Sequence, residues 1–148
     1  MKLLELISNI QIFQAVIGIE QMKKLECRRT FMRNLFDTYY EQLSSLNIMI
    51  SPKDDNWFPW FIDIITDKRD DLMNFLKAHN IQTRVTYPEI NKTDMYNDNR
   101  TLDVSNYISS NGLFLPSHTL LKKEEILYIC NIIKLFFNLE KENLQVVE

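Results

Sequence analysis

The chain has 148 residues, 45% of them hydrophobic and 25% charged, with a formal net charge of −3. This is enough for one domain with one core, and the balance is that of an ordinary globular protein. No basic excess calls for nucleic acid, and no apolar run approaches the roughly 20 residues a membrane helix needs.

The first ten residues, MKLLELISNI, are interrupted by Glu5 and Asn9 and offer no small-residue cleavage site, so they are not read as a signal peptide. The expected location is cytoplasmic. From Ile10 to about Leu46 only Gly18 interrupts a helical pattern. Met22, Leu25, Met32, Leu35, Phe36, Tyr39 and Leu43 recur at steps of three and four, with Lys23, Lys24, Glu26, Arg29 and Arg33 on the other side. The spacing predicts one long amphipathic helix. Arg28 and Arg29 are read as a solvated face of it rather than a ligand clamp. Ser51-Pro52 and the run KDDN end the region in a loop.

Residues 57–66, WFPWFIDIIT, are aromatic and β-branched and predict a strand, with Pro59 near its start. Trp57 and Trp60 are read as core filling, the alternative being a stacking platform for a sugar or base. Asp67 stands where it can cap a helix running through Leu72, Phe75, Leu76 and His79. Asn80, tolerant of the left-handed conformation, marks its end. His79 has no visible catalytic partner.

A second strand follows at IQTRVTY, 81–87, whose alternation places Val85 and Tyr87 on one face and Arg84 and Thr86 on the other. After Pro88 come some twenty-five residues of weak periodicity, and a loop of that length is usually functional or interfacial. Within it SNYISSNG forms a short helix ending at Gly112. LFLP, 113–116, is a buried strand, and His118 behind it organises a turn. KKEEILYICNIIKLFFNL is a final amphipathic helix with Ile126, Ile129, Ile133, Phe136 and Phe137 inward, and the tail, 140–148, is expected to fray.

The fold class is therefore α+β: a long N-terminal helix over 10–46, then over 57–137 a small layer of about three strands covered by helices. The helix between the first two strands allows a split βαβ unit. Cys27 and Cys130 form no CxxC pair and are read as free buried thiols in a reducing compartment rather than a disulfide. With only Gly18 and Gly112 available, there is no P-loop and no GxGxxG to cradle a phosphate, and no metal site is expected.

With the elements placed, QAVIGIEQMKKLE (14–26) resembles the QAAIGLAQLEKL segment of the DegT-type nucleotide-sugar aminotransferases, which include perosamine-synthase-like enzymes. WFPWFIDIITDKRDDLMNFLKAHNIQTRVTYPEINKTDMY resembles that family's W-x-F strand, its helix and its I-x-T-R-x-x-Y-P-x-[HN]-x-x-x-x-Y segment. VSNYISSNGLFLPSHTLLKKEEILYICNIIK resembles its closing helix, L-x-L-P strand and last helix. The blocks are collinear from 14 to about 137 and match the C-terminal small domain of these fold-type I, pyridoxal-phosphate-dependent enzymes.

The resemblance implies a large domain carrying the Schiff-base lysine, the aspartate on the pyridinium nitrogen and most phosphate contacts. None of the eleven lysines here has the family's cofactor-lysine context. Ile7-Ser8-Asn9 stands where the family places an Asn-aromatic-Arg triplet that reaches the partner subunit's cofactor. No cofactor-binding or catalytic residue is therefore expected in this chain, and alone it is expected not to transaminate.

The resemblance also places the segment behind the T-R strand on the wall of a sugar-nucleotide cleft. Arg84 would hold a phosphate or carboxylate, Tyr87 would stack on or hydrogen-bond a sugar, and Asn91 stands where many members have histidine. Arg84 covering the sheet and Tyr87 or Tyr96 packing the loop stay open as alternatives. The expected partners are a pyridoxal-phosphate-domain chain, a full-length homologue or a second copy, with Ile7, Ile10, Phe13 and Ile17 forming the apolar contact. A non-catalytic interaction module and a small-ligand sensor are the competing readings.

Overall fold

The computed structural model describes residues 12–54, 59–96 and 100–145, with side chains through Leu139. Ile7, Ser8, Asn9, Ile10 and Trp57 lie outside the described residues.

The N-terminal helix is divided. Helix α1 spans Ile12–Met22 and α2 spans Leu25–Leu43. Gly18 stays helical, and the interruption comes at Lys23–Lys24, where Lys24 N–H donates to Gln21 O at 3.1 Å in a tightened last turn. Helices in proteins are held mainly by packing an apolar face. Here every residue from Ile12 to Thr30 is exposed and burial begins only at Phe31, so nothing on the body of the domain enforces one continuous rod.

Strand β1 (Met49–Ile50) follows, then β2 (Ile62–Ile65), helix α3 (Arg69–Ala78) and strand β3 (Arg84–Val85). A 3-10 turn at Ile90–Lys92, helix α4 (Asp103–Asn111), strand β4 (Gly112–Leu115) and helix α5 (Lys123–Gln145) complete the chain. The sheet order is β1-β2-β4-β3 with every neighbouring pair antiparallel. Strands β2 and β3 are thus parallel to each other with β4 inserted between them, a split βαβ unit closed by α3. Asn80 sits at φ 60, with Ile81 N–H donating to Leu76 O at 2.9 Å and Asn80 N–H to Lys77 O at 3.1 Å. This is the six-to-one and five-to-two pattern that ends a helix in a left-handed residue.

The sheet of about three strands is present with β1 as a short fourth, too short to carry a periodic signal. Two expectations need correction. Two of the three predicted strands are shorter than read, because only Ile62–Ile65 and Arg84–Val85 join the ladder. Asp67 does not cap α3: Lys68 holds the cap position without a side-chain bond, and the Asp67 carboxylate instead accepts the Tyr107 hydroxyl at 3.0 Å.

One face of the sheet is covered. Ile62, Ile64, Leu113 and Leu115 meet Leu35, Phe36, Tyr39 and Leu43 of α2, Leu72 and Leu76 of α3, and an apolar stripe of α5 from Ile126 to Phe137. Each such fully buried side chain contributes about 1.5–3 kcal/mol of transfer free energy. Tyr39 lies at the centre, and its hydroxyl donates to Pro116 O at 3.0 Å, so the buried phenol is satisfied. All the large residues predicted to point inward from α5 are buried. Helix α5 itself runs to Gln145, into the stretch expected to fray.

Candidate functional site: the uncovered sheet face

The other face of the sheet carries an unusual row. Register pairs Asp63 of β2 with Phe114 of β4, and Phe114 with Arg84 of β3. Directly opposed residues share a face, so a carboxylate, a ring and a guanidinium stand side by side across three strands. The row is continuous with an aromatic cluster. Phe61 and Phe114 lie with ring centroids 4.8 Å apart, and Tyr87 sets its edge against both, at 6.4 and 5.6 Å. Trp60 packs edge-on against Phe61 at 6.4 Å and is 78% exposed, which corrects its reading as core filling.

Arg84 and Tyr87 meet on this face: the guanidinium carbon lies 4.9 Å from the centre of the Tyr87 ring. Simple alternation separates them. The ladder, however, ends at Val85 and the backbone turns toward Pro88, so Tyr87 swings onto the side of Phe114. The contact is a cation–π pair at an exposed site, stabilising by about 0.5–1 kcal/mol and holding the guanidinium near the ring.

The loop beyond is fastened at several points. Thr86 N–H donates to Gly112 O at 3.1 Å, and its hydroxyl donates to Ile108 O at 3.0 Å. Asn91 is bonded within the loop. Its Nδ2 donates to Arg100 O at 2.9 Å and ties the two halves of the loop together. Beside it Glu89 is buried, with one carboxylate oxygen ion-paired to Lys92. Of the three predicted site residues, then, Arg84 and Tyr87 come together and Asn91 is a loop fastener.

Asp63 and Glu89 escaped the sequence reading. Asp63 is the single charge in the β-branched run FIDII, a signal available in the sequence; Glu89 is marked only by its spacing of three from Lys92. Burial pushes the Asp63 carboxyl above its ordinary value, offset in part by a hydrogen bond from its own backbone N–H. His118 accepts the Leu120 N–H at 3.3 Å on Nδ1 and organises a turn, while His79 Nδ1 engages Phe75 O at 2.8 Å.

Among the described residues, Lys53, Lys68, Lys92 and Lys134 do not offer pyridoxal phosphate a Schiff-base site. A lysine that forms a Schiff base is desolvated so that its amine is free. Lys53 is instead exposed, and its hydrogen bond to Asp37 holds its pKa up. Lys134 donates to Gln42 at 2.6 Å, and Lys92 is paired with Glu89. Lys68 lines a solvent-open cleft of about 370 Å³ near β1, where Asp67, the one carboxylate among the described lining residues, is already engaged by Tyr107. Gly18 stands in open space on α1, and the space above Gly112 is filled by Thr86, so neither glycine forms a phosphate cradle.

Comparison with known proteins follows the same line. The profile of the DegT/DnrJ/EryC1/StrS aminotransferase family matches residues 6–134. The GDP-perosamine synthase of Vibrio cholerae is 28% identical over 134 residues, covering 84% of this chain and 36% of that protein. The crystal structure of a DegT/DnrJ/EryC1/StrS aminotransferase from Brucella abortus superposes with a TM-score of 0.75 at 23% identity, over 84% of this chain and 35% of that one. A sugar aminotransferase of Streptococcus pneumoniae, in its PMP form, superposes with a TM-score of 0.68 at 21% identity, over 82% and 33%. The chain thus spans about a third of the length of the proteins it matches.

Proposed function

The chain belongs to the DegT/DnrJ/EryC1/StrS aminotransferase family, and from that membership we propose that its uncovered sheet face is one wall of a sugar-nucleotide cleft. The observation that carries the reading is the Arg84–Tyr87–Phe114–Phe61 cluster, where a guanidinium borders a patch of rings on the sheet face that no described helix covers. Arg84 supplies two parallel donors to a phosphate or carboxylate. Tyr87 and Phe114 offer ring surface to a sugar. Asn91 shapes the loop that bounds the wall.

In this reading the 148 residues position substrate, and they do not form or activate a cofactor aldehyde. Transamination requires a lysine to carry the aldehyde and shuttle a proton, and a carboxylate to keep the ring nitrogen protonated. The cofactor-bearing remainder of the fold, in the same or a second polypeptide, supplies those. The substrate class in this reading is a nucleotide-linked keto sugar and the setting cytoplasmic polysaccharide precursor synthesis; the likeness to GDP-perosamine synthase supports a nucleotide-linked sugar. The test is an amide-resolved NMR titration with a GDP-linked hexose at millimolar concentration. Shifts confined to Tyr87, Phe114 and the Arg84 side chain are expected and are lost in Arg84→Met. Shifts elsewhere, or none, refute the reading.

One observation favours an additional interaction role. Helix α1 exposes Ile12 and Phe13 at 81% each, with Val16, Ile17, Ile19 and Met22 all above half. On a helical wheel these residues span more than the single stripe of roughly 100° that packing on one body needs. Contiguous apolar surface of this kind marks a contact site. A cofactor-domain chain, a full-length homologue and a second copy are the candidates. Sedimentation at rising concentration separates them: self-association weakened by Ile17→Asp points to a second copy, and a monomer points to a different partner.

A further inference from the structure

Asp63 is half-buried, and among the described residues no ion pair reaches its carboxylate. Its own backbone N–H offsets part of the desolvation, but a charge removed from water without a counter-charge is costly, and an apolar residue at the same strand position would avoid the cost. Arg84 stands in the same cross-strand row, two strand spacings or about 10 Å away between Cα atoms. It does not neutralise Asp63, because its guanidinium lies over Tyr87. The row therefore presents a negative end, an aromatic middle and a positive end, all open to one side. A ligand lying across Phe114 meets complementary chemistry if it carries an anion toward β3 and a cation toward β2. An aminated hexose phosphate has this form, with an ammonium and a phosphate at separate positions on a ring whose C–H face stacks on aromatic side chains.

We propose that Asp63 accepts the ammonium of such a ligand, so that the uncovered face distinguishes aminated sugar phosphates from their hydroxyl counterparts. The proposal rests on the reading of that face as a sugar-nucleotide wall and adds to it a specificity residue outside the loop and strand first identified. In this assignment Arg84 fixes the phosphate, Phe114 and Tyr87 carry the ring, and Asp63 reports which group replaces the sugar hydroxyl. For an enzyme family that introduces an amine, such a residue acts on the product side and sets how firmly the aminated sugar is held before release.

The test compares GDP-perosamine with GDP-rhamnose, which carries a hydroxyl where perosamine carries its amine, by amide-resolved NMR titration of the 148-residue chain. The wild-type chain is expected to bind the amine three- to tenfold more tightly, the range of a partly desolvated charge pair. Asp63→Asn keeps the side-chain volume, removes the charge, and is expected to abolish the preference while leaving the affinity for GDP-rhamnose unchanged. Asp63→Ser provides a second variant should the first unfold. Arg84→Met weakens both ligands alike. Equal affinities in the wild-type chain, with Arg84 still required, overturn the Asp63 proposal and leave the wall reading standing. No binding of either ligand at millimolar concentration overturns both. If Asp63→Asn alters only association with a cofactor-bearing homologue, Asp63 is a docking charge for protein and the proposal fails.

Discussion

Replacing Gly112 by alanine probes the junction on which the wall depends. Gly112 adopts φ −85, so alanine meets no backbone strain there; the question is space. An added Cβ would stand 2.5 Å from Thr86 Oγ1 and 2.6 Å from Ile108 O, and would also overlap Thr86 Cγ2. A threonine side chain can rotate away, but only by giving up its hydroxyl bonds to Ile108 O at 3.0 Å and Gly112 O at 3.3 Å. The Ile108 carbonyl belongs to α4 and moves only if that helix shifts from the sheet. Overpacking of a filled site costs about 1–3 kcal/mol, and a displaced hydrogen bond about 1 kcal/mol more. Gly112→Ala should therefore destabilise by about 2–4 kcal/mol, lowering the urea midpoint by about 1 M or more for a typical slope. In a Thr86→Ala background the loss should fall by about half, because two of the three close contacts vanish while the carbonyl remains. A loss under about 0.5 kcal/mol, or the same loss in both backgrounds, would refute the packing described here.

Other consequences follow from the buried groups. Cys27 is exposed, which corrects its reading as a buried thiol, whereas Cys130 is buried and its thiol is pushed up to about 12, so a thiol reagent at neutral pH should modify one cysteine quickly and the second only on unfolding; two fast thiols would contradict the core. Tyr39→Phe should cost about 0.5–1.5 kcal/mol by leaving Pro116 O without its donor, measurable by denaturant titration. Burial raises the Tyr39 phenol well above its ordinary 10.0, so the stability it contributes is complete below pH 10.0 and declines as the pH rises further; absorbance should show Tyr39 ionising only as the chain unfolds. Asp63 also has a raised pKa, so the folded state favours its protonated form, and the charged form is a penalty once the pH exceeds the folded value. Asp63→Asn should thus raise the melting temperature at neutral pH, with the gain shrinking as the pH falls toward 3.8; an equal gain at all pH values would show that charge is not the cause.

What was legible in the sequence was what periodicity and punctuation encode. The stripe on α5, the left-handed stop at Asn80 and the short helix running into Gly112 all reflect local chemistry with a strong signature. The break at Lys23–Lys24 was not legible, because the apolar pattern runs straight through it and only the lack of packing before Phe31 divides the helix. Strand β1 was missed because Met49–Ile50 is strand only by virtue of pairing with Ile65 and Ile64, a long-range fact. Arg84 and Tyr87 were singled out through resemblance, but their contact was not legible: strict alternation sets them apart, and they meet because the ladder stops at Val85. Asn91 was placed by a motif position, yet its amide is drawn to Arg100 O across the loop. Asp63 was visible as a lone charge in an apolar strand, but its importance depends on register with Phe114 and Arg84, which sequence spacing alone does not supply.

The central claim is that these residues form a substrate-facing wall and lack the means to hold and activate pyridoxal phosphate. Incubation of the chain with pyridoxal phosphate, borohydride reduction and peptide mass mapping tests it directly. The account predicts only scattered, substoichiometric labelling of exposed lysines and no amino transfer to a nucleotide-linked keto sugar. A stoichiometric reduced adduct at one lysine of this chain, accompanied by transfer, would contradict it.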